Sequence, residues 1–162
     1  MSYEYLKKGS YAFNTIAGTD KEKHISAFNK QLSFLQEEVN ELDEALFNLD
    51  VVEAADAVVD AMVVLTGMYQ KLENMGVNMD EVTKRIVDNN LSKYPSFHTT
   101  QVVQDTVDKY LQEGITITVK EDIEGHCYVF RNAKTGKILK PSTFVPVDLS
   151  DCVPEGVKFI YD

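Results

Sequence analysis

The segment from Val51 to Met68 constrains the fold most, because it combines an almost uninterrupted apolar run with three acids. It reads VVEAADAVVDAMVVLTGM and is long enough for about five turns of α-helix. Its acids are Glu53, Asp56 and Asp60, whose spacings of three and four residues put them on one helical face. The other faces are apolar, which predicts a helix packed inside a bundle. Three like charges are costly there unless they are neutral or meet a cation, and a divalent metal ion is the simplest such cation.

A second helix is predicted immediately before this segment, over residues 24–48. Its apolar residues recur at alternating spacings of four and three, which is the pattern of an amphipathic helix. Within it, residues 37–41 read EEVNE. Glu38 lies at the margin of the apolar stripe near Gln31, Glu41 follows one turn later, and Glu37 points farther towards water. Glu38 and Glu41 are therefore predicted to face along a seam between two helices.

Only a short turn, at residues 48–50, separates the two helices, so they are predicted to be antiparallel neighbours. Their acids then lie near the shared end of a hairpin. Carboxylate oxygens from two packed helices suit a hard cation such as Mg²⁺ or Mn²⁺, and without His or Cys in either motif zinc is a poor candidate. The alternative interpretation is a non-catalytic, oligomeric binding or scaffold module with an acidic, metal-binding surface. Exposure of Glu53 or Asp60 would favour that alternative.

The whole chain is predicted to be mainly α, a helical bundle with a small C-terminal antiparallel sheet and an extended tail. Residues 1–20 are predicted to be a loosely structured arm, with a short helix as an alternative, whose aromatic residues pack on the domain or on a partner chain. Residues 21–95 are predicted to be the helical core, and residues 96–162 an additional helix, sheet and tail that pack on the core. Strands are expected at 115–119, 127–130 and 136–139. The third helix of the core ends near Leu91, and the side chains of Asn90 and Lys93 at this end are able to hydrogen-bond a base or a phosphate.

Composition excludes several classes of function. The formal charge of −10 argues against a nucleic-acid groove, which needs clustered Lys and Arg. There is no apolar run of about 18 residues and no signal-peptide core, so neither a membrane span nor secretion is expected. Cys127 and Cys152 are far apart in sequence, which is typical of a reduced, cytoplasmic protein. The chain has no P-loop and no G-x-G-x-x-G motif.

The order of these motifs resembles the all-α nucleoside triphosphate pyrophosphohydrolases, a superfamily that includes MazG-like enzymes, phosphoribosyl-ATP pyrophosphohydrolase and dimeric dUTPases. Their E-E-x-x-E motif is matched by residues 37–41, and their E-x-x-D motif by Glu53-x-x-Asp56. In a second register, Asp60 is the final aspartate and Ala57 stands in the glutamate position. The phage-type, phosphoribosyl-ATP pyrophosphohydrolase-like branch is the most similar. Its further motifs are matched by Ala55-Asp56 with Asp60, by Asn90-Leu91-Ser92-Lys93, and more weakly by Gly136-Lys137 with Lys140-Pro141.

This resemblance implies hydrolysis of a nucleoside triphosphate to a monophosphate and pyrophosphate, with Mg²⁺ or Mn²⁺ as cofactor. It also implies a homo-oligomer, a dimer or tetramer, with the active site near a subunit seam. The stretch after Lys93 resembles an insertion that alters substrate choice or binds a partner. The expected site comprises metal ligands (Glu38, Glu41, Asp56 and Asp60, with Glu53 as a fifth), an outer carboxylate that orients water (Glu37 or Glu41), a phosphate ligand (Lys93) and groups that touch sugar or base (Asn90 or Gln31).

Overall fold

Helices make up most of the computed structural model, which describes residues 2–96, 100–121 and 126–162. The predicted mainly-α fold with a small C-terminal antiparallel sheet is confirmed. The described chain forms two compact units, one of residues up to Met79 together with 150–162, the other of residues 80–149. No helix in this described part is long and apolar enough to span a lipid bilayer. The elements in chain order are α1 (Ser2–Ala17), α2 (Ile25–Phe47), α3 (Val51–Asn74), α4 (Met79–Leu91), α5 (Thr100–Gln112), β1 (Ile117–Glu121), β2 (Tyr128–Asn132) and a 3₁₀ turn (Ser150–Cys152).

The predicted antiparallel hairpin of α2 and α3 is the centre of the first unit. Helix α2 ends in a Schellman motif, in which the Asp50 amide donates to Ala45 O at 2.8 Å and the Leu49 amide to Leu46 O at 3.2 Å. Leu49 has φ +56°, a left-handed conformation that normally favours glycine. The carboxylate of Asp50 then accepts hydrogen bonds from the first turn of α3 and caps it. These local interactions set the register in which α3 returns along α2.

The hairpin buries small residues at its contact and leaves many large apolar residues uncovered. Ala45 on α2 and Ala57 on α3 are buried, which lets the two helices approach closely. The prediction that the apolar faces of α3 are enclosed is wrong for a single chain, because one neighbouring helix and α1 cover only part of its circumference. Apolar side chains on α3 remain exposed at Val51, Val52, Val58, Val59 and Leu65.

The N-terminal segment is a regular helix of 16 residues, α1, which is longer than the short helix considered for the predicted arm, and it packs on α3. The reason is a set of polar contacts between distant residues. Tyr11 donates its hydroxyl proton to the carboxylate of Glu73, and Gln70 Nε2 donates to Tyr11 O at 3.3 Å. Lys71 is 1% exposed and its ammonium donates to Glu22 at 2.8 Å and to Thr19 O. A buried lysine needs such partners, and here they tie the turn after α1 to α3.

The C-terminal residues return to the first unit. Ile160 and His24 form a parallel β-bridge, and the ring of Phe159 packs edge-on against Phe28 with 4.8 Å between centroids. The hydroxyl of Ser26 donates to Asp162 at 2.8 Å. The predicted extended tail therefore covers the start of α2.

The second unit is built around α5 and the β1–β2 hairpin. Tyr110 of α5, Phe130 of β2 and Leu139 form its buried apolar cluster, so α5 supplies the surface that a small sheet needs. Val119 pairs with Phe130 in the antiparallel register. The predicted third strand at 136–139 is wrong for the described residues, where only an isolated bridge joins Arg131 to Ile138. Residues 122–125 of the predicted hairpin loop lie outside the described residues.

The predicted segment boundaries after residues 20 and 95 do not coincide with the two units. The first unit includes α1 and the last 13 residues, and the second begins at Asp80. The difference arises because contacts between distant segments, such as those of Lys71 and Phe159, have no local signal in the sequence.

The Schellman turn generates a stability prediction. Leu49→Gly is expected to raise the stability of the protein by about 1 kcal/mol, since a non-glycine residue in the left-handed region costs roughly 1–2 kcal/mol. Leu49 is 87% exposed within the single chain, so its side chain loses little packing there, and the alanine variant below accounts for any contact that it makes with another copy. Thermal unfolding followed by circular dichroism should show a rise of about 2–4 °C.

Leu49→Ala is the matched control, because it removes the same side chain and keeps the Cβ that causes the strain. Equal rises for the alanine and glycine variants would contradict the backbone explanation.

Candidate active site

Glu38 is the most unusual acid of the α2–α3 hairpin. It is half-buried on α2, and its Oε2 atom is inaccessible to water yet accepts no hydrogen bond from any described residue. Burial raises the pKa of the Glu38 carboxyl above its usual value, and neighbouring carboxylates raise it further. A buried carboxylate oxygen with no donor is the feature that a bound cation would satisfy.

The same electrostatic environment identifies which acids lie around Glu38. After burial, the contributions that raise its pKa come in decreasing order from Glu41, Asp60, Glu37 and Asp56. Asp56 and Asp60 of α3 are therefore both near enough to Glu38 of α2 to act on its carboxyl, whereas Glu53 is not among the groups that do. Asp60 acts on the Glu38 carboxyl more strongly than Asp56 does, and both registers of the second motif stay predictions.

Glu53 lies one turn nearer the hairpin turn than Asp56. It borders an open cleft of about 390 Å³ together with Glu41, Glu44 and Asp50. Asp50 is occupied in capping α3, whereas Glu41 lines this cleft and also acts on Glu38. Glu41 thus connects the two groups of acids.

Exposure of these acids is high. Glu37, Glu41, Glu53, Asp56 and Asp60 are all exposed in the single chain. Across residues 2–96, 100–121 and 126–162, no three His, Cys, Asp or Glu side chains converge closely enough to hold a metal ion in this conformation. The exposure of Glu53 and Asp60 is the observation that favours a non-catalytic acidic surface. The unpaired oxygen of Glu38 favours a cation site, and oxygen donors of this kind fit Mg²⁺ or Mn²⁺.

A cavity of about 320 Å³ adjoins the acids. Glu38 and Gln31, two turns apart on α2, both line it, and α1 and α3 complete its walls. The volume falls at the low end of the range for small-molecule sites, about 300–1,000 Å³. Gln31, predicted from sequence to touch a nucleotide, therefore lines a cavity that leads to Glu38.

Two residues of this cavity escaped the sequence analysis. Lys30 also lines it, with its ammonium 5.8 Å from the ring centroid of Phe34, and Asn14 enters it from α1. The spacing of Lys30 from Glu38, eight residues on an amphipathic helix, was a signal that could have found it. No local signal marked Asn14, because it reaches the cavity only through the packing of α1 on α3.

Asn90 and Lys93 belong to the second unit, where they contact each other. Lys93 Nζ donates to Asn90 Oδ1 at 2.7 Å, just beyond the end of α4. A cleft of about 420 Å³ lies between α4 and residues 143–147 of the same unit, and Arg85 and Asn89 line part of it. Asn89 Nδ2 donates to Val145 O at 2.7 Å and holds that segment against α4.

The helical hairpin lies within a domain of the MazG-like, all-α superfamily of nucleoside triphosphate pyrophosphohydrolases. Residues 14–90 match the model of the phosphoribosyl-ATP pyrophosphohydrolase family, and this segment, just under half of the chain, is a domain of that family. No curated protein and no solved structure matches the chain. The family supports a pyrophosphohydrolase activity in general terms, and its members generally depend on a divalent metal ion.

The raised pKa of Glu38 generates a prediction about the metal-free protein. The unfolded chain binds the Glu38 proton less tightly than the folded protein, so the stability provided by the neutral carboxyl is complete below pH 4.5 and is lost as the pH rises through the raised pKa. Glu38→Gln keeps this side chain neutral at every pH. In a chelating buffer, its melting temperature should exceed that of the wild type at pH 7, and the difference should shrink towards pH 4.5.

Asp43→Asn is the control, because it removes one charge from an exposed position of the same helix. If Glu38→Gln melted below the wild type at pH 7 while Asp43→Asn did not, the ionised carboxylate of Glu38 would not be destabilising the folded protein.

Proposed function

We propose that the chain is a Mg²⁺-dependent nucleoside triphosphate pyrophosphohydrolase, which converts a ribo- or deoxyribonucleoside triphosphate, or a related nucleotide, and water to a monophosphate and pyrophosphate. The observation that carries the proposal is the buried, unpaired oxygen of Glu38 beside acids of α2 and α3, within a domain of a pyrophosphohydrolase family. Mn²⁺ has the same preference for oxygen ligands and is the expected substitute.

The acids of the hairpin fall into two roles. Glu38, Glu41, Asp56 and Asp60 are the proposed metal ligands, and Glu53, which shares a cleft with Glu41, is the fifth. A divalent ion held by these residues would screen the carboxylates from the phosphates and would supply a water of lowered pKa. The ligand set is supported by Glu38, whose pKa responds to three of the other four.

An outer carboxylate takes the proton of the attacking water. Glu37 and Glu41 are the two candidates, since both are exposed and both act on Glu38. Water attacks the α-phosphorus, the bond to the bridging oxygen breaks, and pyrophosphate leaves with that oxygen. The carboxylate must therefore accept one proton as the new P–O bond forms.

The rest of the nucleotide needs groups beyond the acids. Gln31 is the proposed contact to the sugar or base, supported by its place in the cavity that contains Glu38. Lys93 is the proposed phosphate ligand, and Asn90, which accepts from Lys93, is proposed to orient it or to touch the nucleotide directly. A cytoplasmic location is also part of the proposal, because nucleoside triphosphates are made and used there.

A homo-oligomer is part of the proposal. The tip of the α2–α3 hairpin carries a contiguous set of exposed apolar side chains, which we call the tip patch (Leu46, Phe47, Leu49, Val51 and Val52). Each of these side chains is at least 60% exposed in the single chain, and burial between copies would remove their apolar surface from water. The patch adjoins Glu53, so an interface there would put the acids near a subunit seam.

The activity is tested with purified protein, Mg²⁺ and a panel of nucleotides that includes phosphoribosyl-ATP and ppGpp. Pyrophosphate release from at least one nucleotide is expected, and a chelator should abolish it. Glu38→Gln and Asp60→Asn are each expected to lower turnover by on the order of 100-fold or more while leaving the helical circular dichroism unchanged.

Asp43→Asn is again the control and should retain turnover. An inactive wild-type protein across the whole panel would contradict the enzyme and leave the acidic binding module as the explanation. Full activity in both Glu38→Gln and Asp60→Asn would contradict the ligand assignment.

Metal binding is tested separately by thermal unfolding. At a metal concentration about 100 times the dissociation constant, Mg²⁺ should stabilise the wild type by about 2.7 kcal/mol, or a melting shift of about 5–10 °C. Glu38→Gln should lose most of this shift, because the half-buried oxygen ligand is replaced by an amide. A metal-induced shift that is unchanged in Glu38→Gln would rule out Glu38 as a ligand.

The oligomer is tested by light scattering at micromolar concentration, where a dimer or tetramer is expected. Phe47→Arg, in the tip patch, should shift the protein towards the monomer. Tyr161→Arg is the control, since Tyr161 is a similarly exposed aromatic residue away from the patch. A wild-type monomer would contradict the proposal.

A further inference from the structure

Gly67 occupies the middle of α3, a position where glycine weakens a helix because it gains too much freedom in the unfolded chain. Its surroundings explain its presence. A Cβ atom on residue 67 would lie 3.0 Å from Asn14 Nδ2 and 3.1 Å from Gln31 Nε2. Both distances are shorter than an ordinary van der Waals contact. The absent side chain therefore leaves room for two amides, one from α1 and one from α2, to meet over α3.

The two amides are held differently. Asn14 is buried, its Nδ2 donates to Ser10 O at 2.8 Å, and its Oδ1 accepts from Thr19 Oγ1 at 3.3 Å. Gln31 makes one hydrogen bond, from Nε2 to Val64 O at 3.3 Å. A glutamine amide has two N–H donors and a carbonyl acceptor, so Gln31 keeps one N–H and its oxygen for another molecule. Within the part of the chain that the structure describes, Asn14 is fixed and Gln31 has binding capacity left.

The position of this pair relative to Glu38 indicates which part of a ligand Gln31 would contact. Asn14 and Gln31 line the same cavity of about 320 Å³ as Glu38. Gln31 and Glu38 are seven residues apart on α2, which is two helical turns or about 10 Å along the axis. In a nucleotide, the sugar and the base ring together separate the α-phosphate from the hydrogen-bonding edge of the base by a comparable span. Phosphates near Glu38 would therefore put the base near Gln31.

We propose that this end of the cavity binds the nucleobase, with the Gln31 amide pairing with the base edge and with Asn14 and Gly67 as positioning residues. A glutamine amide forms two parallel hydrogen bonds with a base edge that carries a donor next to an acceptor. The rings of Phe13 and Phe34 also line the cavity and supply apolar surface beside the base. The ligand is thus a nucleotide held at its base as well as at its phosphates. The inference rests on the proposed function for the phosphate end only.

The experiment compares inhibition by two products. With the best substrate of the panel, the matching nucleoside monophosphate and inorganic pyrophosphate are each tested as inhibitors of the wild type and of Gln31→Ala. Loss of one or two hydrogen bonds should raise the KM and the inhibition constant of the monophosphate by about 10-fold or more. The inhibition constant of pyrophosphate and kcat should change by less than about 2-fold, because pyrophosphate has no base.

Matched variants separate this role from a general loss of structure. Gln36→Ala removes the same side chain from an exposed position of α2 and should change neither constant. Gly67→Ala adds the Cβ that would press on both amides, and should weaken the monophosphate in the same way as Gln31→Ala. Gly9→Ala is its control, since a Cβ at residue 9 of α1 meets nothing within 4 Å.

The base site is also tested without catalysis, by thermal unfolding with the nucleoside monophosphates. Stabilisation of the wild type that is lost in Gln31→Ala and kept in Gln36→Ala would support the base site even if the panel showed no hydrolysis. Equal stabilisation of both variants, or none of the wild type, would overturn the inference. Weaker inhibition by pyrophosphate and monophosphate alike in Gln31→Ala would also overturn it, because the effect would then lie at the phosphate end.

Discussion

Repulsion between the carboxylates of α2 and α3 is the constraint on which the candidate site depends. The Schellman turn at Leu49 and the Asp50 cap fix the return of α3, and that register brings Asp56 and Asp60 near Glu38. The buried oxygen of Glu38 makes the repulsion more costly, since no described group donates to it. A helical hairpin with such acids is less stable than it would be with neutral residues, and a bound cation reverses the sign of that contribution.

The packing of α1 decides what this hairpin has beside it. Without α1, Gln31 and Glu38 would face water along an open seam. The buried ammonium of Lys71 and the amide of Gln70 tie α1 and its following turn to α3, and this closes one side of the cavity. The contacts of Gln70 and Lys71, near the C-terminal end of α3, therefore help to form the cavity next to the acids. Gly67 belongs to the same arrangement, because a larger residue there would separate the helices at the amides.

Oligomer formation and catalysis share one element in this proposal. The apolar tip patch and the acids occupy the same hairpin, so the interface between copies and the metal site are linked by a few turns of helix. The exposure of Glu53, Asp56 and Asp60 in the single chain has an explanation in this arrangement, since a neighbouring copy on the tip patch would cover surface next to them. The second unit, with its apolar cluster of Tyr110, Phe130 and Leu139, forms a separate core and carries Asn90 and Lys93.

The sequence by itself determined α2, α3 and α4, their order and the positions of the acidic motifs on α2 and α3. The apolar periodicity and the helix caps are local properties, so α2 was expected at 24–48 and is found at 25–47. The third helix of the core was expected to end near Leu91, where α4 ends. Residues 37–41, with Asp56 and Asp60, could be assigned to one end of a hairpin because the connecting turn is short. Tertiary structure alone decided that α1 is a packed helix, that the tail returns to α2, and that Asn14 joins Gln31 over Gly67. These features depend on contacts between residues far apart in the sequence, such as Glu73 with Tyr11, and no periodicity or spacing along the chain reports contacts of that kind.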